Sequence, residues 1–387
     1  MKTVGVICEY NPLHLGHKKQ LDIIRATGPE DLGIVCLMSG NYVQRGAPAI
    51  FHKSLRAQAA VLNGADLVLE LPVTAALSSA EGFAADGVAL LGGFCDGLCF
   101  GAETADPQLL LNTARALLSD DFPPALRAHL YTGLSFPAAR SAAIPNLGLD
   151  GAVLSTPNNI LAVEYCKAIL SRRCAMKPLP ILRQGGYHDE VPDLENPSAT
   201  AVRQLMVNRH DWKSCIPEAA RPVFDGGAIH TLAAGERAIL ARLRTMSDAD
   251  FEALPYGSEG LWRKLMHASH SHATLEAIAS ATKSKRYTRT RIDRMILCAF
   301  LGLTADDLSA PPPYARVLAF NHKGREILKN ARNYGLFPNI GEKIDHPYQQ
   351  IEDRADALYG LFAATPEPPT QKNRVFYLND HKNEQLG

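Results

Sequence analysis

Net charge is absent from this chain: lysine plus arginine and aspartate plus glutamate each number 40 in 387 residues. The whole-molecule balance therefore points to no charged partner. No apolar run is long enough to span a bilayer, and no signal peptide precedes the first apolar run, so a cytoplasmic location is expected. There is no C-x-x-C pair among the eight cysteines, which lie scattered at 8, 36, 95, 99, 166, 174, 215 and 298. Buried free thiols fit that pattern better than a disulfide framework or a metal site. His267, His270 and His272 lack acidic or cysteine partners at ligand spacing, so a solvated helix end is expected there. Internal repeats and low-complexity tracts are absent too. What remains is an ordinary globular composition, 46% hydrophobic and 21% charged, of a length that suggests two domains.

The first half alternates short apolar runs with helix-length segments. Residues 4–8, 33–38, 67–71 and 97–101 read as buried strands, with helices expected over 53–63 and 79–91. That order predicts an α/β fold with a parallel sheet. Residues 106–150 carry helical patches and several prolines, and read as an insertion. A helix starts at Ser155-Thr156-Pro157-Asn158-Asn159, with proline in its first turn. Residues 180–183 form a short strand ending in Arg183, followed by the loop 184–189. Beyond residue 205 strand-like runs fade and helix patterns dominate, as at 233–246 and 261–278. The expected division is a nucleotide-binding domain over 1–205 and a mainly α-helical domain over 206–387.

Chemistry concentrates at Glu9-Tyr10-Asn11-Pro12-Leu13-His14-Leu15-Gly16-His17. An apolar strand runs into a proline turn and then into a helix. Such a turn offers free backbone N–H groups and the positive end of a helix dipole to an anion. Gly16 has no side chain to block a phosphate. His14 and His17 can donate hydrogen bonds as charge builds on phosphate oxygens. In open α/β sheets ligands bind beyond the carboxyl ends of the strands, where His14, His17, Ser39-Gly40 and Gly101 fall. A second anion site is expected at Ser198-Ala199-Thr200-Ala201-Val202-Arg203, where a capped helix start stands one turn from a planar fork of donors.

Charge is unevenly spread although it sums to zero. Residues 283–333 hold eleven lysines or arginines against four acids. The densest part comprises Lys283, Lys285, Arg286, Tyr287, Arg289, Arg291 and Arg294. A basic stretch with an interleaved tyrosine fits a polyanion, and the competing reading is an exposed helix end or an interdomain contact.

The H-x-G-H turn resembles the signature of the nucleotidyltransferase superfamily. The wider set of segments resembles the bacterial tRNA(Met) cytidine acetate ligases. That set comprises Ser39-Gly40-Asn41-Tyr42-Val43-Gln44-Arg45-Gly46, Ala65-Asp66-Leu67-Val68-Leu69-Glu70-Leu71-Pro72, Pro157-Asn158-Asn159-Ile160-Leu161, residues 100–103, 198–203 and 287–291. Two departures are Ala102, where a small hydroxyl residue is expected, and Asn196-Pro197 ahead of Ser198. The resemblance implies a Rossmann-like domain followed by a helical one. It also implies a two-step reaction in which acetate and ATP give acetyl-adenylate, and the acetyl group then passes to N4 of the wobble cytidine of elongator tRNA(Met). ATP with Mg2+ is the implied cofactor, and no metal ligands are assigned on the protein. Implied ATP contacts are Ile7, Cys8, Glu9, Tyr10, Asn11, Pro12, Leu13, His14, Leu15, Gly16, His17, Lys18, Lys19 and Gln20, then Gly101, Asn158 or Asn159, and Arg183. His14 and His17 are the implied catalytic groups. Ser198, Thr200 and Arg203 are the implied pyrophosphate contacts, and the basic stretch is the implied tRNA surface. Two other classes remain open, a small-molecule adenylyltransferase and a non-catalytic RNA-binding protein on the same fold.

Overall fold

The structure, a computed structural model, describes residues 2–183, 197–331, 346–369 and 375–379, and the backbone of 383–386. The loop 184–189, Asn196 and Arg332 lie outside the described residues. Among the described residues there are ten strands: β1 (Thr3–Cys8), β2 (Gly33–Ser39), β3 (Tyr42–Val43), β4 (Ala47–Pro48), β5 (Leu67–Leu71), β6 (Gly97–Ala102), β7 (Lys177–Leu182), β8 (Arg316–Asn321), β9 (Val375–Leu378) and β10 (Asn383–Leu386). Eight form one sheet in the order β10-β9-β8-β5-β2-β1-β6-β7, and β3 and β4 make a separate hairpin. From β5 to β7 every pairing is parallel. Both β2 and β5 are buried at every residue, as near-continuous apolar runs with helices on both faces require, and Glu70 in β5 is paired. Pro178 and Pro180 sit in β7, which pairs only with β6 among the described residues. Spaced two apart, they place both missing N–H groups on the open edge, where no ladder needs them.

From β1 the chain winds outward through β2 to β5, then crosses back to place β6 on the other side of β1. That reversal opens a crevice at the carboxyl ends of β1 and β6, the position where such sheets bind ligands. One apolar layer packs helices Ala80–Leu91, Pro107–Leu117 and Pro157–Ser171 against the sheet. The other face carries Leu15–Thr27, Lys53–Leu62 and Ala199–Val207. A third apolar cluster joins Leu232–Thr245, Leu261–Ser271, Leu275–Thr282, Arg289–Leu301 and Pro347–Tyr359. The single helix expected over 261–278 is two helices, because the Thr274 hydroxyl accepts from the Ala277 N–H and starts a new one.

Sheet membership does not stop at residue 205. Strand β8 pairs antiparallel with β5, and β9 pairs with β8. Buried charges fasten the helix Pro347–Tyr359 to the same place. Lys53 Nζ lies 2.8 Å from Glu70 and 2.6 Å from Asp356, and Arg316 reaches Glu70 at 2.9 Å and Glu352 at 3.1 Å. No described helix is long and apolar enough to cross a membrane. Six of the free cysteines are buried, and Cys8 and Cys174 are part-buried.

Candidate active site

His14 ends the turn after β1 and caps the helix Leu15–Thr27. Its Nδ1 accepts from the Gly16 N–H at 3.1 Å. His17 Nδ1 in turn accepts from the His14 N–H at 3.3 Å, which closes a reciprocal capping box built from two histidines. The rings stack with centroids 3.7 Å apart. A Cβ at Gly16 would stand 3.1 Å from the His14 ring, so this glycine makes room for the imidazole as well as for a ligand. Because each Nδ1 accepts, the proton of each neutral ring sits on Nε2. Burial and the charges of Arg183 and Arg203 push His14 down to about 3. Burial, His14 and Arg183 push His17 down as well. Both rings are therefore neutral donors at physiological pH, and His14 Nε2 is buried without a partner among the described residues.

The turn is held from below. Arg56 is fully buried and donates to the carbonyls of Glu9 at 2.6 Å, Ser39 at 3.1 Å, Phe51 at 2.9 Å and Gly40. Asn11 Oδ1 accepts from the Ile50 N–H at 2.7 Å. Tyr10 adopts a left-handed φ of 43° and is buried against Cys36.

A cavity of about 520 Å³ opens over this turn. Of the residues expected to meet a nucleotide, sixteen line it: Ile7, Cys8, Glu9, Tyr10, Asn11, His14, Gly16, His17, Lys19, Gln20, Gly101, Asn158, Arg183, Ser198, Thr200 and Arg203. Pro12, Leu13, Leu15 and Lys18 do not. Leu13 is fully buried in the core, and Lys18 pairs with Asp22 on the outer face of the helix. The two asparagines separate clearly. Asn159 is buried and spends its amide on Thr104, whereas Asn158 lines the cavity and accepts from Arg183 at 3.3 Å. Glu103 secures that helix start, accepting from Asn158 Nδ2 at 2.7 Å, Thr156 Oγ1 at 2.9 Å and the Asn159 N–H at 2.7 Å. Burial alone would raise the Glu103 carboxyl, but the bonds from Asn158, Thr156 and Asn159 hold it below its ordinary value.

Across the cavity, Ser198 caps its helix through the Ala201 N–H at 3.1 Å. Arg203 donates to the Asn11 carbonyl at 2.7 Å and to Thr200 Oγ1 at 3.0 Å, so it borders the histidine turn directly. Sequence reasoning assigned no role to Gln44, Arg45, Phe83, Phe100 or Tyr165, which also line the cavity. For Gln44 and Arg45 the signal was present in Ser39-Gly40-Asn41-Tyr42-Val43-Gln44-Arg45-Gly46. The aromatics came from apolar runs that read as core. No cluster of three potential metal ligands exists among the described residues. Glu9 is the one carboxylate in the lining among the described residues.

The basic stretch divides by burial. Lys283, Lys285 and Arg286 are exposed, and Arg286 pairs with Glu259 at 2.7 Å. Tyr287 donates to the same glutamate at 2.7 Å and carries the Arg291 guanidinium 4.8 Å over its ring. Arg289 binds Glu276 at 2.8 Å and Asp293 at 2.7 Å. Arg291 turns inward to the Tyr256 carbonyl at 2.7 Å. Arg294, read from the sequence as facing nucleic acid, is only 7% exposed and packs over the Tyr256 ring. His267 and His270 are exposed at a helix end.

Known proteins share both the sequence and this architecture. The HIGH Nucleotidyl Transferase family model matches residues 1–374. The tRNA(Met) cytidine acetate ligase of Clostridium tetani is 36% identical, over 95% of this chain and 97% of that protein. The ligase of the same name from Halothermothrix orenii is 33% identical over 98% of each chain. The crystal structure of Thermotoga maritima TmcAL without ligand superposes with a TM-score of 0.89 at 29% identity, covering 98% of this chain and all of that one. The form bound with alpha-thio ATP gives 0.84 over 96% of each chain. The chain belongs to the tRNA(Met) cytidine acetate ligase family of HIGH nucleotidyl transferases.

Proposed function

We propose that this cavity binds ATP, adenylates acetate, and delivers the acetyl group to N4 of the wobble cytidine of elongator tRNA(Met) in the cytoplasm. An acetate oxygen attacks the α-phosphorus, the bond to the bridging oxygen breaks, and pyrophosphate leaves. The cytidine amine then attacks the acetyl carbonyl, AMP departs, and the amine gives up a proton. The observation that carries this reading is the stacked, neutral histidine pair, with each Nδ1 fixed by a backbone N–H. Such a pair presents preset Nε2–H donors to the phosphates, and donors already in place need no reorganisation as charge develops.

Gly101, Asn158 and Arg183 hold the nucleotide, and Ser198, Thr200 and Arg203 hold the leaving pyrophosphate. Mg2+ takes oxygen ligands and keeps waters, and it is bound through substrate phosphates with one or two carboxylates. Among the described residues Glu9 is the lining carboxylate that would serve that purpose; the ion would neutralise phosphate charge. Lys283, Lys285 and Arg286 supply the exposed cations for the tRNA backbone. The test is incubation of the protein with ATP, Mg2+, labelled acetate and tRNA(Met) without coenzyme A, followed by nucleoside analysis. Labelled N4-acetylcytidine is expected; acetylcytidine that forms only with acetyl-CoA would refute the reading.

A further inference from the structure

The β3–β4 hairpin carries Gln44 and Arg45 at its tip, and both line the cavity. Two sides hold the hairpin. On the cavity side the Gln44 N–H donates to Glu9 Oε1 at 2.8 Å, and Gln44 Nε2 donates to the Ser78 carbonyl at 3.4 Å. On the far side stands the helix Arg289–Leu301, whose first turns hold the last part of the basic stretch, Arg289, Arg291 and Arg294. Arg294 Nη1 donates to the Gln44 carbonyl at 3.3 Å. Gly46, at φ 80°, lies so close that an added Cβ would overlap the backbone of Asp293 and Arg294.

Tyr256 supports this contact. It holds a left-handed φ of 68°, which is costly for a bulky residue and persists only where its surroundings enforce it. Its ring lies 4.9 Å under the Arg294 guanidinium, its carbonyl accepts from Arg291, and its hydroxyl donates to the Leu77 carbonyl at 2.8 Å. Arg294 therefore has a defined place between a strained tyrosine and the hairpin. The charge of Arg45 is felt at both Arg183 and Arg203, which it pushes down after burial does. Three guanidinium groups thus share one cavity.

We propose that Arg45 is an anion-contacting residue of the adenylation site, and that Arg294 is a positioning residue that sets Arg45 through the Gln44 carbonyl. The ligand class is an anionic oxygen of the bound reactants, phosphate or carboxylate. This rests on the reading of the cavity as the place of adenylation. Arg294 serves the ATP cavity and not the tRNA surface.

The experiment is acetate-dependent ATP–pyrophosphate exchange in wild type, Arg45→Gln, Arg294→Gln and the double variant, with tRNA affinity measured on each. Exchange in wild type establishes the reading of the cavity first; its absence there overturns that reading and this proposal with it, whereas the variant outcomes bear on the proposal alone. With exchange established, Arg45→Gln is expected to lose roughly tenfold or more in kcat/KM, since misplacement or loss of a positioned group costs up to about 10²-fold. Arg294→Gln should lose nearly as much, and the double variant no more than the worse single one. A residue that merely supports the fold would give losses that multiply. If Arg294→Gln does not fold, Gly46→Ala displaces the hairpin from the same contact and carries the same expectation. Multiplying losses, wild-type exchange in Arg294→Gln, or a loss of tRNA affinity with exchange intact each overturn the proposal.

Discussion

A histidine that accepts a backbone hydrogen bond at Nδ1 can donate only through Nε2, and that constraint decides what His14 can do. Its capping role and its proposed phosphate contact use opposite ends of one ring. Asparagine is a good cap but cannot reach as an imidazole does. His14→Asn should therefore keep its melting temperature near that of wild type while losing ~10²–10³-fold in exchange rate, the scale for one transition-state donor. Near-wild-type exchange would remove His14 from the chemistry. The lowered pKa of about 3 has a second consequence. The neutral donor form persists well below pH 6, so the rate profile should show no inflection near 6.5 from this group. An inflection there that disappears in His14→Asn would contradict the assignment. Linkage has the opposite visibility. Below pH 6.5 the unfolded chain takes up a proton that buried His14 refuses until about 3, so His14 subtracts stability as pH falls through that window.

Among the elements, the start of the helix Pro157–Ser171 shows how a fold residue can govern a ligand residue. Glu103 accepts from Asn158, Thr156 and the Asn159 N–H, and so aims the Asn158 amide into the cavity. Glu103→Ala strips those partners together. It should cost about 1–3 kcal/mol of stability in a denaturant melt and raise KM for ATP; an unchanged KM would separate Asn158 from the nucleotide. The basic stretch makes a different demand. Its exposed cations, not its part-buried and buried arginines, should carry the electrostatics of RNA binding. Lys283→Ala with Lys285→Ala should weaken tRNA binding and lower the salt slope by up to about one unit per lost contact. A slope equal to wild type would leave these lysines in solvent. Arg291 and Arg294 show why this division was not legible in the sequence. Whether an arginine faces water depends here on Tyr256 and on a hairpin some 250 residues away, and neither leaves a mark beside it. By contrast, β1, β2, β5 and β6 were legible because each is a short, mainly apolar run. The histidine turn was legible because its chemistry is local.

For the whole molecule, the two expected domains share one sheet. Strand β8 was missed because Arg316-Val317-Leu318-Ala319-Phe320-Asn321 lies in a basic stretch just after three prolines, where helix patterns dominate. It covers the buried edge of β5, while Asp356 and Arg316 complete the charges of Lys53 and Glu70. Removing such partners leaves buried charges unpaired, at a cost of about 3–5 kcal/mol for each broken pair. A fragment of residues 1–205 should therefore show no cooperative thermal transition; a sharp transition would show that the first half folds alone. Formation of acetyl-adenylate in the cavity over His14 and His17 is read most directly by ATP–pyrophosphate exchange without tRNA. The expected result is exchange that requires acetate and falls ~10²–10³-fold in His14→Asn. Exchange that is absent in wild type, or that proceeds equally without acetate, would contradict it.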